Sequence, residues 1–472
     1  MNHYKTMNHK IVLFFFVLLS LGSVSRIHAQ TMPFVYDTAV RTIDPYDRDG
    51  GYARSLSMGA GGFGMINSDG PVLQGTAVGF QSYISNPFLI DPIDVLTNPA
   101  WVSHYNGVAS LNINPQFANA AFGITPDFSL GLMLAKKSFP GLSINTTQDT
   151  GITKNVPSAY KPQSIGLDNT TYLYGALQLG NIAVGLGVSY VSAGYQDTPP
   201  ADTIQSIDES LSQFGINAGM LAAISKDLTI DAALTIMFPS YSDNLSLTTT
   251  DAKGNSTTNT ETYSDSRTIL GFNGRAMINT TNNFTLIPMV DFYTMSGSST
   301  DTHPVGTKDT TISTTMPSHT SFDAGLGANY LINDLLLVGG LSLGTYSETL
   351  TGTNGSPDLH TTQFIFPRWN LGAEYRIDKR VKIRIGYAVS NGTQNTPSFD
   401  LSANGKSIGS ISQTIRDPYF SPSLGQDAGL SLGASFLYEK FFLDIAVANV
   451  EANSPTVVAQ LGFVFGNPPK FP

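Results

Sequence analysis

The chain has 472 residues, no cysteine, 25 basic against 35 acidic side chains, and only 13% charged residues, about half the share usual in soluble domains. The acid excess disfavours nucleic-acid binding, which wants a basic patch, and the lack of thiols excludes both a disulfide framework and a lipid anchor on cysteine. With 45 Gly, 27 Phe and 20 Tyr, the composition suits a wall that faces lipid with aromatics and its interior with small residues.

The first thirty residues have the three parts of a secretory signal. Lys5 and Lys10 precede an apolar run from Ile11 to Leu21, and a short polar stretch ends at Ala29. Cleavage there would make 1–29 the signal peptide and Gln30 the new N-terminus; a start at Met7 would leave the signal intact. The mature chain would lose Lys5, Lys10 and Arg26 but no acid, for a net charge of about −13. The apolar run is too short for a spanning helix, which needs about 20 residues, and no later stretch is long and apolar enough either. An exported chain of this kind enters a membrane only as a barrel.

Residues 30–104 fall into a polar, Pro-punctuated lead-in (31–51) and a stretch from Tyr52 to Trp101 that is rich in Gly and Pro and too irregular for a series of strands. This stretch is expected to lie inside whatever the later strands build. Gly59, Gly61 and Gly64 match the spacing of a dinucleotide-binding loop, but no strand–helix–strand context surrounds them. Their expected role is close packing, and no cofactor is expected.

From Tyr105 the pattern has period two. In 182–190, Ile182, Val184, Leu186, Val188 and Tyr190 share one face and Ala183, Gly185, Gly187 and Ser189 the other. The same arithmetic holds for 228–238, 369–377, 381–389 and 456–465, with lipid expected on the apolar face. Short turns at 125–127, 180–181, 225–227, 280–283, 332–334, 377–379 and 438–440 alternate with long polar stretches at 138–169, 195–212, 239–262, 298–318, 351–363 and 393–426, expected to be outer loops. An all-β transmembrane antiparallel barrel of 14–16 strands, best counted as 16, is expected over 105–466, with a tail at 467–472. An even count puts both termini on the side of the short turns, the periplasm of a Gram-negative cell.

The alternation points Asp231, Arg275, Asp291, Asp323, Glu374, Arg376, Lys382, Arg384 and Asp444 inward. A midplane Arg or Lys on lipid would cost about 2–4 kcal/mol, so these charges belong to the lumen. They serve either a solute path or pairing between the wall and what it encloses. Pro288 interrupts an otherwise regular strand, 284–293, where its missing donor must break the ladder or create a bulge. The histidines outside the signal, His104, His303, His319 and His360, make no metal-ligand spacing, and no G-x-S-x-G elbow occurs. An enzyme is not expected.

Ala53-Arg54-Ser55, Met58-Gly59 and Asn98-Pro99-Ala100 carry a resemblance to the N-terminal region of FadL/TodX-type outer-membrane transporters of hydrophobic compounds. A related group, the barrel that shuttles cargo in type IX secretion, shares the same opening. The resemblance implies an N-terminal segment folded into a barrel that is usually fourteen-stranded, with Arg54, Met58, Gly59, Gly61, Gly64, Asn98, Pro99 and Ala100 as plug or gate residues. It also implies passage of hydrophobic solutes from outside and, at Pro288, a strand kink of the kind that opens a lateral route to lipid. Expected partners are outer-membrane lipid, a hydrophobic small molecule and the barrel-assembly machinery. The alternatives are a barrel acting in docking or secretion and an open aqueous porin.

Overall fold

The computed structural model describes residues 52–58, 65–66, 80–81, 86–113, 117–135, 170–197, 204–250, 254–305, 308–315, 318–350, 359–399, 407–415, 429–448, 450 and 455–465. A one-and-a-half-turn helix, α1 (Tyr52–Ser57), is followed by a two-rung ladder of β1 (Met65–Ile66) with β2 (Phe80–Gln81), and then by two 3-10 turns, η1 (Pro92–Leu96) and η2 (Pro99–Ser103). None of the described helices is long and apolar enough to cross a membrane.

The wall begins at β3 (Val108–Asn112) and β4 (Phe117–Gly123) and continues through β5 (Phe128–Ala135), β6 (Thr170–Leu179), β7 (Ile182–Asp197), β8 (Ile204–Ser225) and β9 (Leu228–Thr250). Then come β10 (Ser256–Thr281), β11 (Phe284–Val305), β12 (Lys308–Thr315), β13 (Ser318–Ile332), β14 (Leu335–Leu350) and β15 (Leu359–Arg376). The last are β16 (Val381–Phe399), β17 (Ser407–Ile415), β18 (Gly429–Tyr438), β19 (Phe441–Ala448) and β20 (Thr456–Val464). All pair antiparallel with their neighbours, and β20 closes onto β3. Because β12 and β13 pair with successive lengths of β11, and β17 and β18 with successive lengths of β16, each couple is one interrupted stave. The closed antiparallel barrel therefore has sixteen staves, the upper end of the expected range.

Alternation decides which side chains face out. In β7, Val184, Leu186, Val188 and Tyr190 are exposed, whereas Ala183, Gly185, Gly187 and Ser189 are buried. Leu111, Leu134, Phe214, Leu234, Phe272, Leu326, Leu371 and Leu461 extend the same apolar belt around the wall, a surface suited to lipid rather than water. Each of the seven short turns falls between strands as expected; Gly180 and Asn333, in two of them, adopt φ of 64° and 52°, the left-handed backbone that a two-residue hairpin turn demands.

Two expectations are corrected. Much of the polar sequence taken for outer loops is strand: 195–197, 204–212, 239–250, 256–262, 298–305, 308–315, 359–363 and 393–399 continue the ladders. The strand β10 alone runs for 26 residues, on the order of 85 Å at the usual rise per residue, where about 9–11 suffice to cross a bilayer. Beyond lipid both faces of a strand are wet, so the hydrophobic alternation disappears while Thr and Ser remain good strand residues. Cross-strand hydroxyl pairs such as Thr248–Thr258 at 3.0 Å and Thr302–Thr311 at 3.1 Å tie these hairpins. The stretch 138–169, expected to be an outer loop, lies outside the described residues.

The second concerns Pro288, where the ladder breaks as one alternative had it and the bulge alternative falls. It stays in register with Leu326 of β13, and on its other side the ladder to β10 skips from Arg275–Met289 to Ile278–Leu286 without changing register. The proline removes rungs and makes no bulge. A bulge lies instead at Phe366–Pro367 in β15, where both flanking registers shift.

Candidate functional site

A sixteen-stave barrel is wide enough to leave an aqueous channel. In this chain residues 53–58 and 86–105 are almost wholly buried, and they touch inward-facing positions on staves all around the wall. Sequence supplies the local shape. Asp91 caps η1 by accepting from the Ile93 N–H at 3.2 Å, Asp94 reaches back to the Asp91 N–H at 3.2 Å, and Pro92 occupies the first helical position, a reciprocal cap with proline where its missing donor does no harm. Asn98 does the same for η2, accepting from the Ala100 N–H at 2.9 Å.

Two ionic clusters fasten this segment to the wall. In the first, Arg54 grips Glu374 of β15 with Nε at 3.0 Å and a second nitrogen at 3.2 Å, the fork geometry that suits Arg to carboxylates. Glu374 also accepts from Arg384 Nε at 2.5 Å, and Arg384 reaches Asp444 at 2.7 Å. On the other side Arg54 donates to the Ile90 carbonyl at 3.3 Å and lies 3.6 Å from Asp91. Lys382 is buried in the same region.

The second cluster centres on Arg275 of β10. Its guanidinium meets Asp94 at 2.5 Å and Asp231 of β9 at 2.7 Å, donates to the Pro87 and Leu89 carbonyls at 3.1 and 3.2 Å, and lies 5.8 Å from the Trp101 ring centre. Asp231 also accepts from Asn98 at 2.6 Å and from the Trp101 indole at 2.9 Å. Asn217 adds a bond to the Thr97 carbonyl at 2.8 Å.

Between the clusters the backbones approach closely. The Phe88 ring lies over Gly327 of β13 and Gly340 of β14, where a Cβ would overlap it, and Asn98 occupies the space a Cβ at Gly219 would need. The Met58 carbonyl faces Gly372 and accepts from Asn86 at 2.9 Å.

Of the residues expected at the site, Arg54, Met58, Asn98, Pro99 and Ala100 are brought together with Asp231, Arg275, Glu374, Lys382, Arg384 and Asp444. Gly59, Gly61 and Gly64 lie outside the described residues. Asn98-Pro99-Ala100 forms a buried anchor at the start of η2, and the wall starts at Val108, three residues after the expected boundary at 105. Asp323 belongs to a separate ion pair with Arg368 at 2.7 Å, Asp291 accepts from Asn273 at 2.7 Å, and Arg376 sits half-buried at the short-turn rim.

Sequence reasoning missed Asp91, Asp94, Asn217, Arg368 and the Asp265–Arg267 pair. For Asp91 and Asp94 the signal was the D-P-x-D cap itself.

Toward the ends of the long strands, the inner face changes character. Val191, Leu211, Met237, Tyr241, Ile269, Tyr293 and Met295 form one buried apolar cluster on β7 to β11, on the face where an aqueous pore would be polar.

No family model matches the chain, and no curated protein matches it. Among solved structures the chain is similar to the toluene transporter TodX of Pseudomonas putida, with 12% identity over 88% of this chain and 96% of that one and a TM-score of 0.34. It is also similar to the toluene transporter TbuX of Ralstonia pickettii, with 11% identity over 88% and 98% and a TM-score of 0.37. A FadL homologue of Pseudomonas aeruginosa matches with 13% identity over 80% and 94% and a TM-score of 0.34.

Proposed function

We propose that the protein sits in the outer membrane of a Gram-negative cell and admits hydrophobic small molecules by passive diffusion, with the 52–104 segment as a stopper in its lumen. The observation that carries this reading is the apolar inner cluster of Met237, Tyr241, Ile269, Tyr293 and Met295. On this reading an apolar solute leaves water against that cluster, at roughly 25 cal/mol per Å² of surface buried. The clamped segment argues against an open porin, because water and ions would need a continuous polar path past it. No catalysis is assigned.

Planar-bilayer recording tests the reading. The intact protein should show a quiet baseline, and a variant lacking Tyr52 to Ala100 should show large steady conductance. Steady conductance from the intact protein would favour a porin, and a silent deletion variant would rule out the stopper. Uptake of an apolar aromatic probe into proteoliposomes should fall when Met237 and Met295 are both replaced by Asp.

A second reading, docking of another protein, is favoured by the tall polar hairpins of β8 to β11. It predicts retention of a partner that depends on those hairpins and no solute flux.

A further inference from the structure

The lumen segment is not held evenly around the wall. Its ionic anchors fall on β9, β10 and β15, with Arg384 of β16 and Asp444 of β19 behind them. On the arc of β3, β4 and β20 the wall contains no charged residue at all. Here Pro92, Ile93 and Tyr105 of the segment face Asn112, Phe117 and Gln460, and the surfaces do not meet completely. They leave a narrow, partly open gap of about 10 Å³, the least that admits one water molecule.

Asn112 projects into that gap. It is 1% exposed, yet among the described residues neither its amide nitrogen nor its amide oxygen has a hydrogen-bond partner. Asn98 of the segment and Asn273 of the wall have partners at 2.6 and 2.7 Å; Asn217 and Asn370 leave only the amide oxygen without one, whereas Asn112 leaves both amide atoms. A primary amide offers two donors and two acceptor positions, and leaving it stripped of partners in the interior is a cost that proteins rarely accept. Polar groups that could share a bridging molecule line the same gap: Gln460, directly opposite Asn112 in the ladder, with Ser110 and Asn119.

We propose that Asn112 holds a specific internal site for one water-sized, neutral, hydrogen-bonding molecule between the lumen segment and the β3–β4–β20 wall, occupied by water in the resting protein. The residues that line the gap carry no charge, so the site favours a neutral molecule over an ion, which would shed its hydration with no counter-charge in the lining to replace it. The site stands whether or not the barrel carries apolar solutes.

Hydroxyl-radical footprinting with millisecond X-ray pulses tests this on the intact protein, because radicals form from water at the site itself. Phe117 flanks the gap and is 3% exposed; Phe88, with the same intrinsic reactivity, is fully buried over Gly327 and Gly340. Phe117 should be modified measurably faster than Phe88 if ordered water lies beside it. Asn112→Leu should bring Phe117 down to the Phe88 rate, and Asn112→Ser, which keeps a hydroxyl, should not. Equal rates for the two phenylalanines in the unmodified protein would show a dry gap and overturn the proposal without any variant. Undiminished Phe117 labelling in the Leu variant would overturn the assignment to Asn112.

Discussion

Replacing Arg275 by Met isolates what the ionic clamp contributes. The substitution keeps much of the aliphatic stem but removes the charge that meets Asp94 at 2.5 Å and Asp231 at 2.7 Å, together with donors to two segment carbonyls. Two carboxylates then face each other in a buried place without a counter-charge. Removing one partner of a buried pair costs about 3–5 kcal/mol. The barrel ladders are untouched, so this cost falls on the seating of the segment and shifts its seated-to-released equilibrium by about two to three and a half decades.

In planar bilayers the Arg275→Met protein should therefore show frequent openings where the parent is quiet, with open probability raised at least about a hundredfold. The triple variant Arg275→Met, Asp94→Asn, Asp231→Asn replaces the ions by neutral groups that can still hydrogen-bond, and should recover most of the closed time. A silent single variant, or a triple variant as leaky as the single one, would show that the cluster does not hold the segment.

Gly340→Ala sets a Cβ into the Phe88 ring; overpacking of this kind costs about 1–3 kcal/mol and should speed tryptic cleavage after Arg54, which is wholly buried in the seated segment. Gly339→Ala, whose Cβ would meet Leu371 of the outer face, should leave cleavage unchanged. Burial pushes the Asp91 carboxyl up to about 8, with Arg54 offsetting only part of the rise. A seated segment thus holds a proton that a released one gives up. That contribution is full below the ordinary value of 3.8 and fades as pH climbs through about 8. Openings should accordingly become more frequent between pH 6 and 9, and Asp91→Asn should flatten that rise. Asp323→Leu alone leaves Arg368 buried without its carboxylate and should lower the unfolding temperature read by heat-modifiable gel mobility. The double variant Asp323→Leu, Arg368→Met should be nearer the parent.

The protonation expected at Asp91 also balances the two clusters that anchor the segment. These hold four buried cations, Arg54, Arg275, Lys382 and Arg384, and, besides Asp91, four buried carboxylates, Asp94, Asp231, Glu374 and Asp444. A fifth charged carboxylate would be in excess, and burial disfavours it.

Where a strand crosses lipid, one face must be apolar, and that is why β7, β15 and β20 were legible residue by residue. The rule fails where its cause is absent. Phe364 and Phe366 are exposed while Arg368 and Asn370 are buried, although all four have the same parity. The extra residue of the bulge between Ile365 and Arg368 exchanges the two faces, so alternation extended through it from either side misplaces the other.

The lumen segment was legible in part for a different reason. Its irregular Gly- and Pro-rich composition marked it as enclosed, and its caps, though unread, are local: Asp91, Pro92 and Asp94 declare a helix start within four residues. Its anchors are not: Arg54 and Glu374 are 320 residues apart, Arg275 and Asp94 181. Each half of such a pair reads alone as a charge that must avoid lipid, which places it in the lumen without naming its partner. Only closure of the barrel brings β9, β10, β15 and β16 around one segment, and the pairing follows from that closure because a buried charge left alone is the costlier state. The wall therefore selects the partners, and substitutions at Asp231 or Glu374 should be felt first in the segment rather than in the strands that carry them.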